Sequence, residues 1–96
     1  MPASRASVRR DGDALAFAGA LLRDDVAALW RQASTAIDGV RRFDLRAVER
    51  IDSAGLALLA ELAARSGDVA IDGEPTGLAE LRAAYRLTPR LTFAAA

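Results

Sequence analysis

Apolar residues along this chain switch repeatedly between a two-residue and a three-to-four-residue spacing, and the switches fall at turn signals. Residues 5–9 (Arg-Ala-Ser-Val-Arg) alternate as a half-buried strand does. Arg10-Asp11-Gly12-Asp13 then supplies a turn, since Asp-Gly tolerates the positive φ of a tight hairpin. Leu15, Phe17 and Leu21 alternate with alanines in a second strand that fades near Gly19. Asp24 and Asp25 stand where carboxylates can cap a helix. Val26, Leu29, Trp30, Ala33 and Ile37 follow on one helical face, with Trp30 in phase with the core, and Asp38-Gly39 closes the element. Val40 to Leu45 predicts a short strand with Phe43 and Leu45 on one side. A second helix begins near Ser53 and ends at Ser66-Gly67-Asp68. Val69 and Ile71 suit another short strand, broken by Gly73-Glu74-Pro75. Leu78, Leu81 and Tyr85 space out a third helix, stopped by Thr88-Pro89. Leu91 and Phe93 fit either a final strand or a packed tail.

The resulting order, β-β-α-β-α-β-α with room for a final β, implies parallel pairings joined by right-handed crossovers. The opening hairpin makes the sheet mixed. The expected fold is therefore α/β, a mixed sheet packed with helices. At 96 residues the chain suits a single domain spanning 1–96.

Several chemistries lack their residues. There is no Cys, no His and no Lys. This removes thiolate nucleophiles, cysteine zinc sites, the commonest general base and metal ligand, Schiff-base chemistry and the P-loop. No catalytic residue, cofactor or metal site is expected. Thirteen Arg balance thirteen Asp plus Glu, whereas a nucleic-acid binder usually carries a basic excess. No apolar run approaches the roughly 20 residues that span a bilayer. Met1-Pro2-Ala3-Ser4-Arg5 lacks the apolar core of a signal peptide, so the cytoplasm is the expected compartment.

The segment after Ile51 is the distinctive one. Asp52-Ser53 opens the second helix and Gly55 lies in its first turn. Leu56, Leu58, Leu59 and Leu62 fall on one broad side, as a core-facing helix requires. Ser53, Ala57, Ala60 and Ala64 form a narrow stripe roughly opposite, where small side chains let a partner come close. Glu61 and Arg65 are spaced to pair on the solvent flank. A serine before an apolar helix is ordinarily an N-cap, with Asp52 supporting the turn; alanines in an Ala-rich chain are ordinarily helix formers. The alternative is a docking surface, with Ser53 where free N–H groups favour an anion and a phosphoryl group would act as a switch. Arg41, Arg42, Arg46 and Arg50 make a locally basic stretch, either a solvated edge or a partner contact.

Phe43-Asp44-Leu45, Val48, Ile51-Asp52-Ser53-Ala54-Gly55-Leu56 and Leu58-Leu59 together resemble the signature of the STAS domain family, in which Asp-Ser/Thr-x-Gly-Leu opens a helix after a strand. The resemblance implies a STAS-type sheet and a non-enzymatic, protein-binding role. Leu29-Trp30, Ile51 to Leu59 and Leu81 to Leu87 are most similar to the small MlaB-type STAS subunits of a phospholipid-transporting ABC complex that maintains outer-membrane lipid asymmetry. That likeness implies binding to a cytoplasmic ATPase subunit, and to the permease through it, at the inner membrane. The site residues it implies are Asp52, Ser53, Ala54, Gly55, Ala57, Ala60 and Ala64. The other branch, the anti-sigma factor antagonists, carries at the position of Ser53 a serine that a partner kinase phosphorylates. Transporter subunits can carry Thr there, so Ser53 itself points to the antagonists.

Overall fold

The computed structural model of the chain describes residues 6–67 and 69–87. Its elements come in the expected order: β1 (Ser7–Asp11), β2 (Ala14–Leu21), α1 (Val26–Thr35), β3 (Arg42–Ile51), α2 (Ser53–Ser66), β4 (Ala70–Asp72) and α3 (Leu78–Ala84). The strands lie side by side as β1-β2-β3-β4, antiparallel at the hairpin and parallel thereafter. The hairpin closes with Asp11 opposite Ala14 across Gly12-Asp13, and Gly12 takes φ 60°. Helices α1 and α2 pack on each other, α2 also lies on β2 and β3, and α3 packs on α2. The suggested strand at Leu91 and Phe93 lies outside the described residues.

The core forms between the sheet and these helices. Phe17 on β2 and Phe43 on β3 meet edge to face with ring centroids 5.8 Å apart. Leu15, Leu21, Leu45, Leu59, Leu62 and Leu78 close around them, all at most 1% exposed. Each such side chain stabilises the fold by about 1.5–3 kcal/mol through the surface it removes from water. Trp30 is half-buried at the margin of this core.

Five local expectations are corrected. The third strand does not stop at Leu45 but runs to Ile51, and β2 continues through Gly19 to Leu21. Two bulges explain both. Ala16 pairs with Asp44 but Ala18 with Ala47, and Gly19 pairs with Val48 but Ala20 with Arg50, so β3 carries an extra residue each time. The buried positions of β3 are consequently Phe43, Leu45, Val48 and Ile51, which breaks the two-residue alternation. At the first bulge the Asp44 carboxylate accepts hydrogen bonds from the Arg46 backbone (3.0 Å) and guanidinium (2.9 Å). These hold the Asp44 carboxyl down to about 2.

The helices supply the other three corrections. Neither Asp24 nor Asp25 caps α1 with its side chain; residues Arg23–Asp25 form a 3₁₀ turn that leads into the helix. Arg65 does not pair with Glu61 but lies over the Trp30 ring, 4.7 Å from its centroid, joining α2 to α1. The α3 helix also ends earlier than Thr88-Pro89. Arg86 turns left-handed at φ 56°, and the N–H groups of Leu87 and Arg86 donate to the carbonyls of Arg82 and Ala83 at 2.9 and 3.2 Å. This is a Schellman closure with Arg where glycine is usual, and it folds Leu87 back toward α2.

Gly55 sets how closely α2 approaches the sheet. A Cβ at this position would collide with the Leu21 carbonyl oxygen and lie 2.9 Å from Ile51 Cγ1. The obstacle is backbone, which cannot rotate away, so Gly55→Ala should cost at least about 2 kcal/mol by overpacking. In a domain this size that lowers Tm by roughly 8–16 °C. Thermal denaturation followed by circular dichroism measures it, and an unchanged Tm would show that α2 does not sit this close.

Candidate partner-docking site

Strands β2 and β3 are parallel, and their C-terminal ends meet the first turn of α2. In open α/β sheets ligands bind outside the carboxyl ends of the strands, although the β1-β2-β3-β4 order here has no topological switch point. Asp52 organises the junction. Its backbone N–H donates to the Leu21 carbonyl at 3.2 Å. One carboxylate oxygen accepts from the Gly55 N–H at 2.8 Å, and the other accepts from the Arg23 N–H at 3.0 Å. One side chain thus caps α2 and fastens the start of the β2–α1 connection to it.

This assigns the cap to Asp52, not Ser53. Ser53 is the first helical residue and is exposed, and no hydrogen bond of its hydroxyl is present among the described residues. Ala57 and Ala64 are exposed, Ala54 and Ala60 half-buried, and Gly55 buried. The structure therefore brings Ser53, Ala57, Ala60 and Ala64 onto one accessible flank of α2. It also gives Gly55 an internal task, because the backbone it approaches belongs to Leu21 of this chain. Leu56, Leu58, Leu59 and Leu62 are buried as the leucine side requires.

Beside the stripe lies a groove of about 320 Å³. Ser53, Ala54, Leu56, Ala57 and Ala60 form its α2 side, Tyr85 and Leu87 the opposite side, and Arg23 the rim. Tyr85 is half exposed at 50%, whereas its spacing in α3 placed it in series with core residues. Leu87 reaches the groove only because of the left-handed turn at Arg86, for which the sequence offers no glycine as a signal. Arg23 gives no periodic signal at all.

The basic stretch divides. Arg42 pairs with Asp13 at 3.4 Å and Asp72 at 3.1 Å, and Arg46 pairs with Asp44 at 2.9 Å. Arg41 and Arg50 are exposed. Among the described residues no group of His, Cys, Asp or Glu is placed to hold a metal ion, and no helix is long and apolar enough to cross a membrane.

A family model described as "Mlab, STAS domain" matches residues 5–92. The chain belongs to the STAS domain family. It is 43% identical over 51 residues to the intermembrane phospholipid transport system binding protein MlaB of Escherichia coli (strain K12), and equally to that of Shigella flexneri. Each match covers 53% of this chain and 53% of the relative, so the likeness spans about half the length of these proteins. The STAS signature Asp52-Ser53-Ala54-Gly55-Leu56 is thus the cap, the exposed first residue and the close-packed turn just described.

Partial burial pushes the Asp52 carboxyl up, but the N–H groups of Gly55, Arg23 and Ala54 and the Arg23 charge pull it down, and the net direction is down. Its stabilisation is therefore complete above the ordinary carboxylate range, near 4, and is lost as pH falls through the lower folded value. Asp52→Ala should cost about 1–2 kcal/mol at neutral pH, as loss of a helix cap does. The gap between wild type and variant should narrow below about pH 4. Urea denaturation at several pH values measures both, and a gap independent of pH would remove the carboxylate from this role.

Proposed function

We propose that this protein is the non-enzymatic STAS accessory subunit of a phospholipid-transporting ABC complex, and that it binds the cytoplasmic ATPase subunit and supports its assembly and activity. The observation that carries the reading is the exposed flank of α2, where Ser53, Ala57, Ala60 and Ala64 offer small side chains next to an apolar groove. The names of the Escherichia coli and Shigella flexneri relatives support the transport system as its setting.

In this reading the protein works by contact alone. The small stripe allows close approach, the groove takes a side chain, and Asp52 holds the first turn of α2 in place. Through the ATPase it would sit on the cytoplasmic side of the inner membrane, next to the permease, without inserting in the bilayer. Lipid asymmetry of the outer membrane would depend on it indirectly.

A second reading rests on Ser53 itself. Its exposed position at the start of α2 also suits phosphorylation by a serine kinase, as in an anti-sigma factor antagonist. Affinity purification from native cells separates the two. An ABC ATPase with its permease supports the transporter, and a serine kinase or anti-sigma factor overturns it.

Ser53→Glu and Ala57→Arg should each weaken binding to the ATPase subunit at least about tenfold, equivalent to about 1.4 kcal/mol. Both positions are exposed, so circular dichroism should be unchanged. Calorimetry with the purified ATPase subunit measures the affinity, and normal binding by both variants would place the docking surface elsewhere.

A further inference from the structure

The groove has one apolar body and one charged rim residue. Leu56, Ala57, Ala60, Tyr85 and Leu87 supply the apolar part, and Arg23 is the charged residue among its described lining. Arg23 makes no ion pair among the described residues, whereas Arg42, Arg46 and Arg82 all do. Its backbone is nevertheless fixed, because its N–H donates to Asp52. The Asp52 carboxylate lies near it, but both oxygens accept from backbone N–H groups. The neighbouring acids Asp24 and Asp25 line a different depression, with Ala6, Ala28, Leu29 and Gln32.

A positive rim on an apolar slot is complementary to a particular kind of segment. Building on the docking reading above, we infer that the groove receives a large apolar side chain of the ATPase subunit, flanked by a carboxylate that pairs with Arg23. About 320 Å³ is at the lower limit of ligand cavities and suits one bulky side chain better than a whole small molecule. The Asp52 carboxylate already meets the positive end of α2, so the charge that attracts a partner carboxylate is that of Arg23. An arginine whose main chain is held loses less freedom on pairing than one on a loose loop. Arg23 and Tyr85 are therefore specificity-determining contacts that the STAS signature does not include.

The test uses the full chain with the purified ATPase subunit, titrated at low and high salt. Arg23→Glu should weaken binding at least about tenfold, Arg23→Gln by less, and both should flatten the salt dependence, since the charge pair is what salt screens. Tyr85→Ser should weaken binding about tenfold with the salt dependence intact, because it removes apolar contact only. An acidic residue of the ATPase changed to Arg should restore affinity to Arg23→Glu and weaken the wild-type complex. Wild-type affinity in Arg23→Glu and Tyr85→Ser, with Ala57→Arg still defective, would overturn the groove assignment and leave docking on α2 standing. A wild-type chain that fails to bind the ATPase subunit at all would overturn both.

Discussion

Everything presented at the C-terminal ends of β2 and β3 depends on how closely α2 meets the end of β2. The Leu21 carbonyl is the fixed point. It accepts the Asp52 N–H, and Gly55 lies so close above it that no Cβ fits. Asp52 then reaches both ways, to Gly55 in the helix and to Arg23 beyond the strand. Four short-range constraints acting on one carbonyl and one carboxylate thus orient α2, α1's approach segment and the groove between α2 and α3. A Leu or Val at a core position can be exchanged for another apolar residue with modest repacking. Neither the glycine nor the aspartate here has such a substitute, because one is needed for absence of volume and the other for two acceptors at a set distance.

The element order and the helix faces were legible because they rest on periodicity, which is local. Leu56, Leu58, Leu59 and Leu62 read as buried and are buried, and the small stripe reads as opposite and is accessible. The missed features arise where a specific contact, local or distant, overrides the period. Strand β3 looked short because two bulges change its buried spacing after Leu45, and the first is held by Asp44 bonding to Arg46 and by Gly73 packed on that backbone. Arg65 looked free to pair with Glu61, yet Trp30 from another helix offers a better-packed partner. The cap looked like Ser53 because serine is a good cap, but the residue before it is an acceptor of equal quality. Which of two adjacent candidates caps a helix is decided by where the chain enters from the strand.

Charge is distributed unevenly over the surface. Three of the exposed pairs lie among the Asp11–Ala14 turn, β3 and β4, joining Asp13, Arg42 and Asp72 and, separately, Asp44 and Arg46, and a fourth joins Glu74 to Arg82 of α3. Such pairs are each worth at most about 1 kcal/mol and matter little for stability. What they do is neutralise arginines that would otherwise make that side a basic surface. The described groove lining keeps a single cation, Arg23, amid apolar and small side chains. Specificity in an interface comes from such sparse charge on an apolar ground more than from total charge.

The cap assignment also bears on what Ser53 can do. A hydroxyl engaged as an N-cap would accept from the helix's own N–H groups and would have to be released before meeting a partner or a phosphoryl donor. With Asp52 in that position, Ser53 is exposed at the first residue of the helix and its hydroxyl is not needed for the cap. A bulky or charged group on Ser53 would then act on the contact surface and not on the fold. In this chain neighbouring residues take the two positions, an acid that caps the turn and a small hydroxyl exposed beside it. In the proposed function, that division would let a single scaffold serve a permanent contact or a switched one, according to what meets the hydroxyl.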